Sequence, residues 1–88
     1  MTDRTYTVLN KMGLHARPAA LFVQATHKFQ SQVTVEKDGQ QVDGKSIMGI
    51  LTLAAESGSR LRVTADGPDE EALLNELGNL FERRFDEE

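Results

Sequence analysis

The sequence predicts an α+β fold in which helices cover one face of a mostly antiparallel sheet. Three observations lead to this fold class. Four short stretches alternate apolar and polar residues, as half-buried strands do, and three longer stretches carry apolar residues at helical spacing. Between two of the strands, Asp38-Gly39 is a strong signal for a tight hairpin turn. The predicted order is β-α-β-β-α-β-α, which buries one core in a two-layer sandwich.

The first strand is predicted at residues 5–9, where Tyr6 and Val8 share one face. A break at residues 10–13 separates it from the first helix, which is expected to begin near Ala16. The buried face of this helix is marked by side chains that recur at three- and four-residue steps. These side chains are Ala19, Phe22, Val23, Thr26 and Phe29, and the helix is expected to reach the last of them.

Three further strands are predicted, two from the alternation of apolar and polar residues and one as the return strand of the hairpin. Residues 32–36 and 40–43 form the hairpin, and their inward side chains are Val33, Val35 and Val42. Residues 60–65 form the fourth strand, whose polar positions, including Arg60 and Arg62, are expected to face water.

The second helix follows Ser46, which is a good N-cap because its hydroxyl oxygen can accept the N–H of Met48 or Gly49. Its apolar cluster comprises Ile47, Met48, Ile50, Leu51 and Leu53. Gly58 is expected to end this helix, since glycine readily adopts the left-handed conformation that follows a helix.

The last helix is expected to open at Pro68, because its fixed φ suits a first helical turn. The acids that follow it, Asp69, Glu70 and Glu71, favour the positive end of the helix dipole. The predicted buried stripe is Leu73, Leu77, Leu80 and Phe81, widened by Leu74. The acidic tail at residues 86–88 lies at the negative end, and we expect it to fray.

The length and composition of the chain argue against several classes of function. At 88 residues, we expect a single domain spanning 1–88. The absence of cysteine excludes disulfides and Cys-ligated zinc. A net charge of −4 argues against general binding to nucleic acid or to a membrane surface. There is no apolar run long enough to span a bilayer and no signal-peptide core, so a cytoplasmic location is expected.

The most informative segment surrounds His15. Pro18 is tolerated only in a first helical turn, so the helix should start near Ala16 and His15 should be its N-cap. The positive helix end disfavours a cation there, which keeps a ring nitrogen nucleophilic, and free N–H groups welcome an anion. Arg17 adds a charge able to bind phosphate oxygens. From spacing alone the alternative stays open that His15 merely caps the helix and Arg17 is solvated.

Residues 13–20, Gly-Leu-His-Ala-Arg-Pro-Ala-Ala, resemble the active-site signature of HPr, the histidine-containing phosphocarrier family of the phosphoenolpyruvate-dependent phosphotransferase system. Residues 44–49, Gly-Lys-Ser-Ile-Met-Gly, resemble the regulatory-serine segment of that family. The two motifs occur in the right order, and the similarity spans nearly the whole chain. The resemblance implies an open-faced sandwich with the antiparallel sheet order 1-4-2-3.

The resemblance also implies the chemistry. His15 would accept a phosphoryl group through Nδ1 from phosphorylated enzyme I, itself charged from phosphoenolpyruvate, and pass it to an EIIA-type domain. Arg17 would neutralise the phosphoryl group, and Gly13, Ala16 and Pro18 would support the active-site turn. Such transfer is mostly positioning and charge stabilisation, so no cofactor or metal is expected. The protein would be a phosphoryl carrier and not a stand-alone turnover enzyme.

The same resemblance makes Ser46 a site for an ATP-dependent HPr kinase/phosphorylase. Phosphoserine suits a helix N-cap, and its charge would alter partner docking. Ile47 and Met48 are candidate exposed anchors for that docking. The alternative is that Ser46 is only a cap and that Ile47, Ile50 and Leu51 are core residues.

Other functions stay open at this point. One is a regulatory interaction module controlled through Ser46, with a catabolite-control transcription factor or a nitrogen-branch protein as partner. A small-molecule-binding domain ranks last, because nothing in the sequence suggests a pocket. His15 and His27 would lie about 18 Å apart on one helix, too far to share a metal ion. A carrier that docks with successive partners is expected to be a monomer, and the sequence does not distinguish the sugar branch from the nitrogen branch.

Overall fold

A computed structural model describes residues 1–87 of the chain. Four strands and three helices follow in the predicted order, with one short turn of 3-10 type at the end. The strands are β1 (Thr2–Thr7), β2 (Gln32–Lys37), β3 (Gln40–Asp43) and β4 (Arg60–Asp66). The helices are α1 (Ala16–His27), α2 (Ile47–Thr52) and α3 (Glu70–Glu82), and the final turn covers Arg84–Asp86.

The strands form one antiparallel sheet in the order β1-β4-β2-β3. The inward side chains of the sheet pack with apolar residues of the helices into one core, and Arg60 and Arg62 are exposed, as predicted. The open-faced α+β sandwich and its 1-4-2-3 order are therefore confirmed. Within residues 1–87, no helix combines the length and the apolar character that crossing a bilayer requires.

The boundaries of β1 differ from the prediction of 5–9. This strand begins at Thr2 and ends at Thr7, because it pairs with β4 from Thr2↔Ala65 to Thr7↔Arg60. Val8 lies beyond the ladder but is fully buried, and its N–H donates to the Ser59 carbonyl at 2.8 Å. The face assignment of Tyr6 and Val8 holds, although the strand is shifted toward the N-terminus.

The first helix and the hairpin are close to prediction. α1 starts at Ala16 but ends at His27, short of Phe29, and Lys28 forms the C-cap. At the hairpin, Asp38 and Gly39 both have positive φ, 52° and 84°, as a type I′ turn requires.

The second helix is shorter than predicted, since it ends at Thr52 and not near Gly58. Ala54 takes the left-handed conformation, with a φ of 50°, and its N–H donates to the Leu51 carbonyl at 3.0 Å. Gly58 instead belongs to the turn before β4, where its N–H donates to the Val8 carbonyl at 2.7 Å. Packing against the loop after β1 thus ends α2 earlier than its own sequence suggests.

The third helix begins at Glu70, so Pro68 lies outside it and Asp69 is the N-cap residue. The Asp69 carboxylate does not cap its own helix. It accepts the Ser31 hydroxyl at 2.5 Å and the backbone N–H groups of Gln30 and Ser31 at 2.9 and 3.0 Å. The bond from the Ser31 hydroxyl, and after it the backbone bonds, lower the pKa of Asp69. The predicted apolar stripe is correct, since Leu73, Leu74, Leu77, Leu80 and Phe81 are all buried.

The expectation that the acidic tail frays is wrong for Asp86 and Glu87, and Glu88 lies outside the described residues. Arg84, Phe85 and Asp86 have positive φ values of 55°, 52° and 61°, which turn the chain back after α3. Phe85 is fully buried and packs edge-on against Phe81, with ring centroids 5.0 Å apart. The prediction considered only the charge of the tail. The buried Phe85 side chain holds the segment in place.

Candidate functional site

His15 is the N-cap of α1, as predicted, and its backbone is extended, with φ −84° and ψ −161°. The His15 carbonyl accepts the N–H of Ala19 at 3.0 Å, which is the first bond of the helix. The imidazole makes no capping bond within the described chain. Because Pro18 has no N–H, the free donors at this helix end are the backbone N–H groups of Ala16 and Arg17. They lie where an anion beside the ring could be bound.

The ring contacts the C-terminal segment. His15 Nε2 lies 3.2 Å from Oε2 of Glu87, while 46% of the His15 side chain remains exposed. Oε1 of the same carboxylate accepts a bond from Nδ2 of Asn10 at 3.1 Å. Since Nε2 faces a protein acceptor, Nδ1 is the ring nitrogen without a partner among residues 1–87.

Gly13 shapes the turn that carries His15. It has a φ of 75°, and a Cβ at this position would lie 2.4 Å from the Ala55 carbonyl oxygen. The neighbouring Leu14 N–H donates to that same oxygen at 2.8 Å. The turn before α1 is thus held tightly against the loop that follows α2, and only glycine fits without displacing it.

The remaining predicted residues lie on the first turn of α1. Pro18 is buried, whereas Ala16 and Arg17 are exposed. The Arg17 guanidinium forms no ion pair within residues 1–87. It is free to reach an anion placed at the helix start, since a guanidinium can bind phosphate oxygens in pairs.

Two residues of this arrangement were not predicted from the sequence. Asn10 was assigned only to a break between elements, yet it is fully buried, and its Nδ2 also donates to the Gly13 carbonyl at 2.6 Å. Glu87 was expected to fray. No local pattern signals either contact, because the two residues are 77 positions apart. The only clue in the sequence was Phe85, an aromatic residue beyond the predicted apolar stripe.

Comparison with known proteins identifies the family. The family described as "PTS HPr component phosphorylation site" matches residues 2–83. The phosphocarrier protein HPr of Treponema pallidum is 47% identical over 88 residues, which is 100% of both chains.

The chain belongs to the HPr family.

Solved HPr structures share the fold. HPr-C-His from Thermoanaerobacter tengcongensis superposes with a TM-score of 0.96 at 50% identity, over 100% of this chain and 99% of that one. An HPr dimer from the same organism gives a TM-score of 0.78 at 49% identity, over 97% and 98% of the two chains. The HPr-like protein Crh of Bacillus subtilis is 47% identical over 77 residues, 88% of this chain and 91% of Crh.

Ser46 caps α2, as the sequence predicts, since its Oγ accepts the Gly49 N–H at 3.0 Å. The segment before it is tied to the end of α1. The Thr26 hydroxyl donates to the Gly44 carbonyl at 2.9 Å, and the Lys45 ammonium donates to the Phe29 carbonyl at 2.8 Å. Ser46 itself is half-buried. These two bonds hold the start of α2 in place, and neither of them involves the Ser46 hydroxyl.

An apolar surface connects α2 with the histidine turn of this HPr-family chain. Ile47 and Met48 are 43% and 71% exposed, as expected for docking anchors, whereas Ile50 is core and Leu51 is half-buried. Leu51 and His15 line one shallow depression of about 260 Å³. Met12, which lines it as well, is 75% exposed and was not predicted as an anchor.

His27 plays no part in this site. It is exposed at the end of α1, and its Nε2 lies 2.9 Å from the Lys45 carbonyl oxygen. Among the residues described, 1–87, no group of three His, Cys, Asp or Glu side chains could hold a metal ion.

Proposed function

We propose that His15 accepts a phosphoryl group on Nδ1 from phosphorylated enzyme I and passes it to an EIIA-type domain. The observation that carries this proposal is the half-exposed imidazole at the start of α1, whose Nδ1 has no partner within residues 1–87. Because Nε2 faces Glu87, Nδ1 is the ring nitrogen to which we assign the phosphoryl group.

The surroundings of His15 support the role of a carrier. The N–H groups of Ala16 and Arg17 and the free Arg17 guanidinium offer donors to the phosphoryl oxygens, where negative charge is concentrated during transfer. Gly13 and Pro18 keep the turn in place. The shallow depression beside the ring leaves room for the active-site surface of a partner and supplies no enclosed pocket. In this proposal the phosphoryl group is the cargo of the chain, and its transfer depends mostly on positioning and charge stabilisation.

This proposal is tested by incubating the chain with phosphoenolpyruvate and purified enzyme I and measuring the intact mass. We expect one acid-labile phosphate, which His15→Ala abolishes while the far-UV spectrum stays unchanged. Equal uptake by His15→Ala contradicts the assignment. Transfer onward to EIIA domains of the sugar and nitrogen branches then identifies the branch.

A second function is favoured by the similarity to Crh and by the geometry of Ser46. We infer that an ATP-dependent HPr kinase/phosphorylase modifies the Ser46 hydroxyl, and that the resulting dianion is compatible with the helix because it lies at the positive end of α2. The added charge changes docking at Ile47 and Met48, and a catabolite-control transcription factor is the candidate partner. A regulatory module acting through Ser46 alone is the alternative to the carrier.

The kinase assay uses ATP, the purified kinase, and Ser46→Ala beside Ser57→Ala as the matched control. Ser57 lies exposed in the loop before β4. Phosphate that persists in Ser46→Ala shows that another residue is modified.

We also propose that the chain works as a monomer, since its docking face must meet successive partners. HPr of Thermoanaerobacter tengcongensis has been solved as a dimer, so analytical ultracentrifugation at working concentration is the appropriate measurement. A dimer that fails to dissociate on dilution contradicts this proposal.

A further inference from the structure

Glu87 and Asn10 form a chain of hydrogen bonds that ends on His15. We propose that Glu87 is a positioning residue for the phosphoryl transfer, which fixes the proton of His15 on Nε2, and that Asn10 holds the Glu87 carboxylate in place. This inference rests on the carrier function proposed above.

The carboxylate of Glu87 bridges two groups, one with each oxygen. Oε2 lies 3.2 Å from His15 Nε2, and Oε1 accepts from Asn10 Nδ2 at 3.1 Å. Asn10 Nδ2 uses its other hydrogen on the Gly13 carbonyl at 2.6 Å. Both groups beside the amide nitrogen are acceptors, so chemistry fixes which way the amide points. Because Asn10 is fully buried, it forms a rigid support for the carboxylate.

The path of the chain explains how Glu87 reaches the ring. The left-handed turn at Arg84–Asp86 reverses the chain after α3, and buried Phe85 anchors it against Phe81. Only 19% of the Glu87 side chain is exposed. The packed segment therefore places the Glu87 carboxylate at one position beside the ring, which a mobile tail would not do.

The bonding fixes the tautomer of the imidazole. A carboxylate oxygen accepts but does not donate, so the ring nitrogen facing Glu87 is the one that carries hydrogen. In the neutral ring the lone pair then resides on Nδ1, which faces away from Glu87. Glu87 therefore turns a ring that could attack through either nitrogen into one that attacks through Nδ1 only.

The same contact stabilises the ring during transfer. The Nδ1 lone pair forms a bond to phosphorus, the N–P bond of the donor phosphohistidine breaks, and its electron pair returns to the donor ring. No proton moves, because the Nε2–H of His15 stays hydrogen-bonded to Glu87. Positive charge develops on the His15 ring as the N–P bond forms, and the adjacent carboxylate compensates it. The return step to an acceptor histidine reverses these changes.

The first measurement needs no partner protein. In ¹⁵N spectra that correlate the imidazole nitrogens with the ring protons, recorded in alkaline buffer where the ring is neutral, we expect the hydrogen of wild-type His15 on Nε2. Glu87→Ala should mix the two tautomers. Glu87→Gln keeps the size of the side chain but has one acceptor oxygen for two donors, Asn10 Nδ2 and His15 Nε2. It should therefore also lose the uniform Nε2–H form, which rules out a purely steric effect. Asp86→Asn is the matched control, since it neutralises the adjacent carboxylate, which pairs with Arg83.

The second measurement is the rate of phosphoryl uptake on His15 from phosphorylated enzyme I and from phosphoramidate, a small P–N donor. We expect Glu87→Ala to be about tenfold slower with both donors, as for other histidines that lose an orienting carboxylate. Glu87→Gln should be intermediate, and Asp86→Asn should stay within about twofold of wild type.

An Nδ1–H tautomer in the wild type, or uptake by Glu87→Ala as fast as wild type, overturns the inference. Failure of the carrier proposal has a different signature. The wild type would then react with phosphoramidate but not with phosphorylated enzyme I. The uptake rates of the Glu87 variants with phosphoramidate, relative to wild type, would still test the role of Glu87.

Discussion

The ring of Phe85 lies edge-on to Phe81, with centroids 5.0 Å apart and planes inclined by 73°. Tyr6 stacks on Phe81 as well, with ring centroids 4.9 Å apart and nearly parallel planes. The aromatic cluster therefore links β1, the end of α3 and the segment that carries Glu87 to the histidine.

Removing the Phe85 ring tests that link. Because this side chain is fully buried, Phe85→Ala should lower the free energy of unfolding by about 3 kcal/mol, the usual cost of deleting a buried phenylalanine ring. Urea unfolding measures the loss, and hydrogen exchange of residues 83–87 should show the released segment. Phe85→Leu is the conservative control and should cost about 1 kcal/mol. Unchanged stability in Phe85→Ala contradicts the anchoring role.

The turn before the histidine should be intolerant of any side chain at Gly13. A Cβ there meets the Ala55 carbonyl oxygen at 2.4 Å, whereas Gly58, with a φ of 90°, has nothing within 4 Å. Both alanine variants suffer the same backbone strain, of about 1 kcal/mol, but only Gly13→Ala also clashes. We expect Gly13→Ala to be the less stable by a further ~1 kcal/mol or more and to slow phosphoryl uptake. Equal melting temperatures for the two variants would show that the turn can shift freely.

Arg17 should matter for transfer and not for folding. Its guanidinium is exposed, so Arg17→Ala should leave the melting temperature nearly unchanged, while the transfer rate falls by about 10²-fold, the usual cost of losing one charge-stabilising donor. Arg17→Lys should recover part of the rate, because it keeps the charge but not the paired geometry. Arg60→Ala, on the open face of the sheet, removes the same charge and serves as control. A similar loss in that variant would attribute the effect to net charge.

Glu70 should make stability depend on acid pH. Hydrogen bonds from the Thr2 hydroxyl, the Gly67 N–H and the N-terminal amine lower the pKa of Glu70 from 4.5 to about 2. The depressed pKa means that the ionised carboxylate stabilises the fold above pH 4.5, and that this contribution is lost as pH falls toward 2. Glu70→Gln should be less stable than wild type at neutral pH, and the gap should close on acidification.

The control for this titration is Glu71→Gln, an exposed neighbour in the same helical turn. Urea unfolding of both variants and of the wild type, from neutral pH toward pH 2, gives the comparison. A gap between wild type and Glu70→Gln that is independent of pH would mean that the carboxylate charge is not the cause.

Local patterns predicted most of the fold. The alternation in β4 specified its buried face, the positive-φ pair Asp38-Gly39 specified the hairpin, and the stripe on α3 was correct at every position. His15 and Ser46 were placed correctly at helix starts because Pro18 and the Ser46 hydroxyl act within one helical turn. These signals are local, so the sequence displays them directly.

The wrong predictions concern segments whose conformation depends on residues far away in the sequence. Ala54 ends α2 in a conformation that alanine disfavours, because the loop is held by contacts with residues around Val8 and Leu14. Glu87 was misjudged because its partner Asn10 is 77 positions away. Helix-end electrostatics argued for fraying, but burial of Phe85 outweighs a dipole term of well under about 1 kcal/mol. Tertiary contacts of this kind leave no periodic trace in one sequence.

The strand order also affects how fast the chain can fold. β1 pairs with β4 alone, so the sheet closes only after distant segments meet, and domains with such non-local pairing typically fold in milliseconds to seconds. Helix α1 and the β2–β3 hairpin depend on neighbours in sequence and can form much earlier. His15 and Glu87 are also far apart in the sequence, so we expect the imidazole to meet this carboxylate only after the distant parts of the chain have come together. Its ¹⁵N signal, followed during refolding, should report the arrival of that carboxylate as one of the last steps.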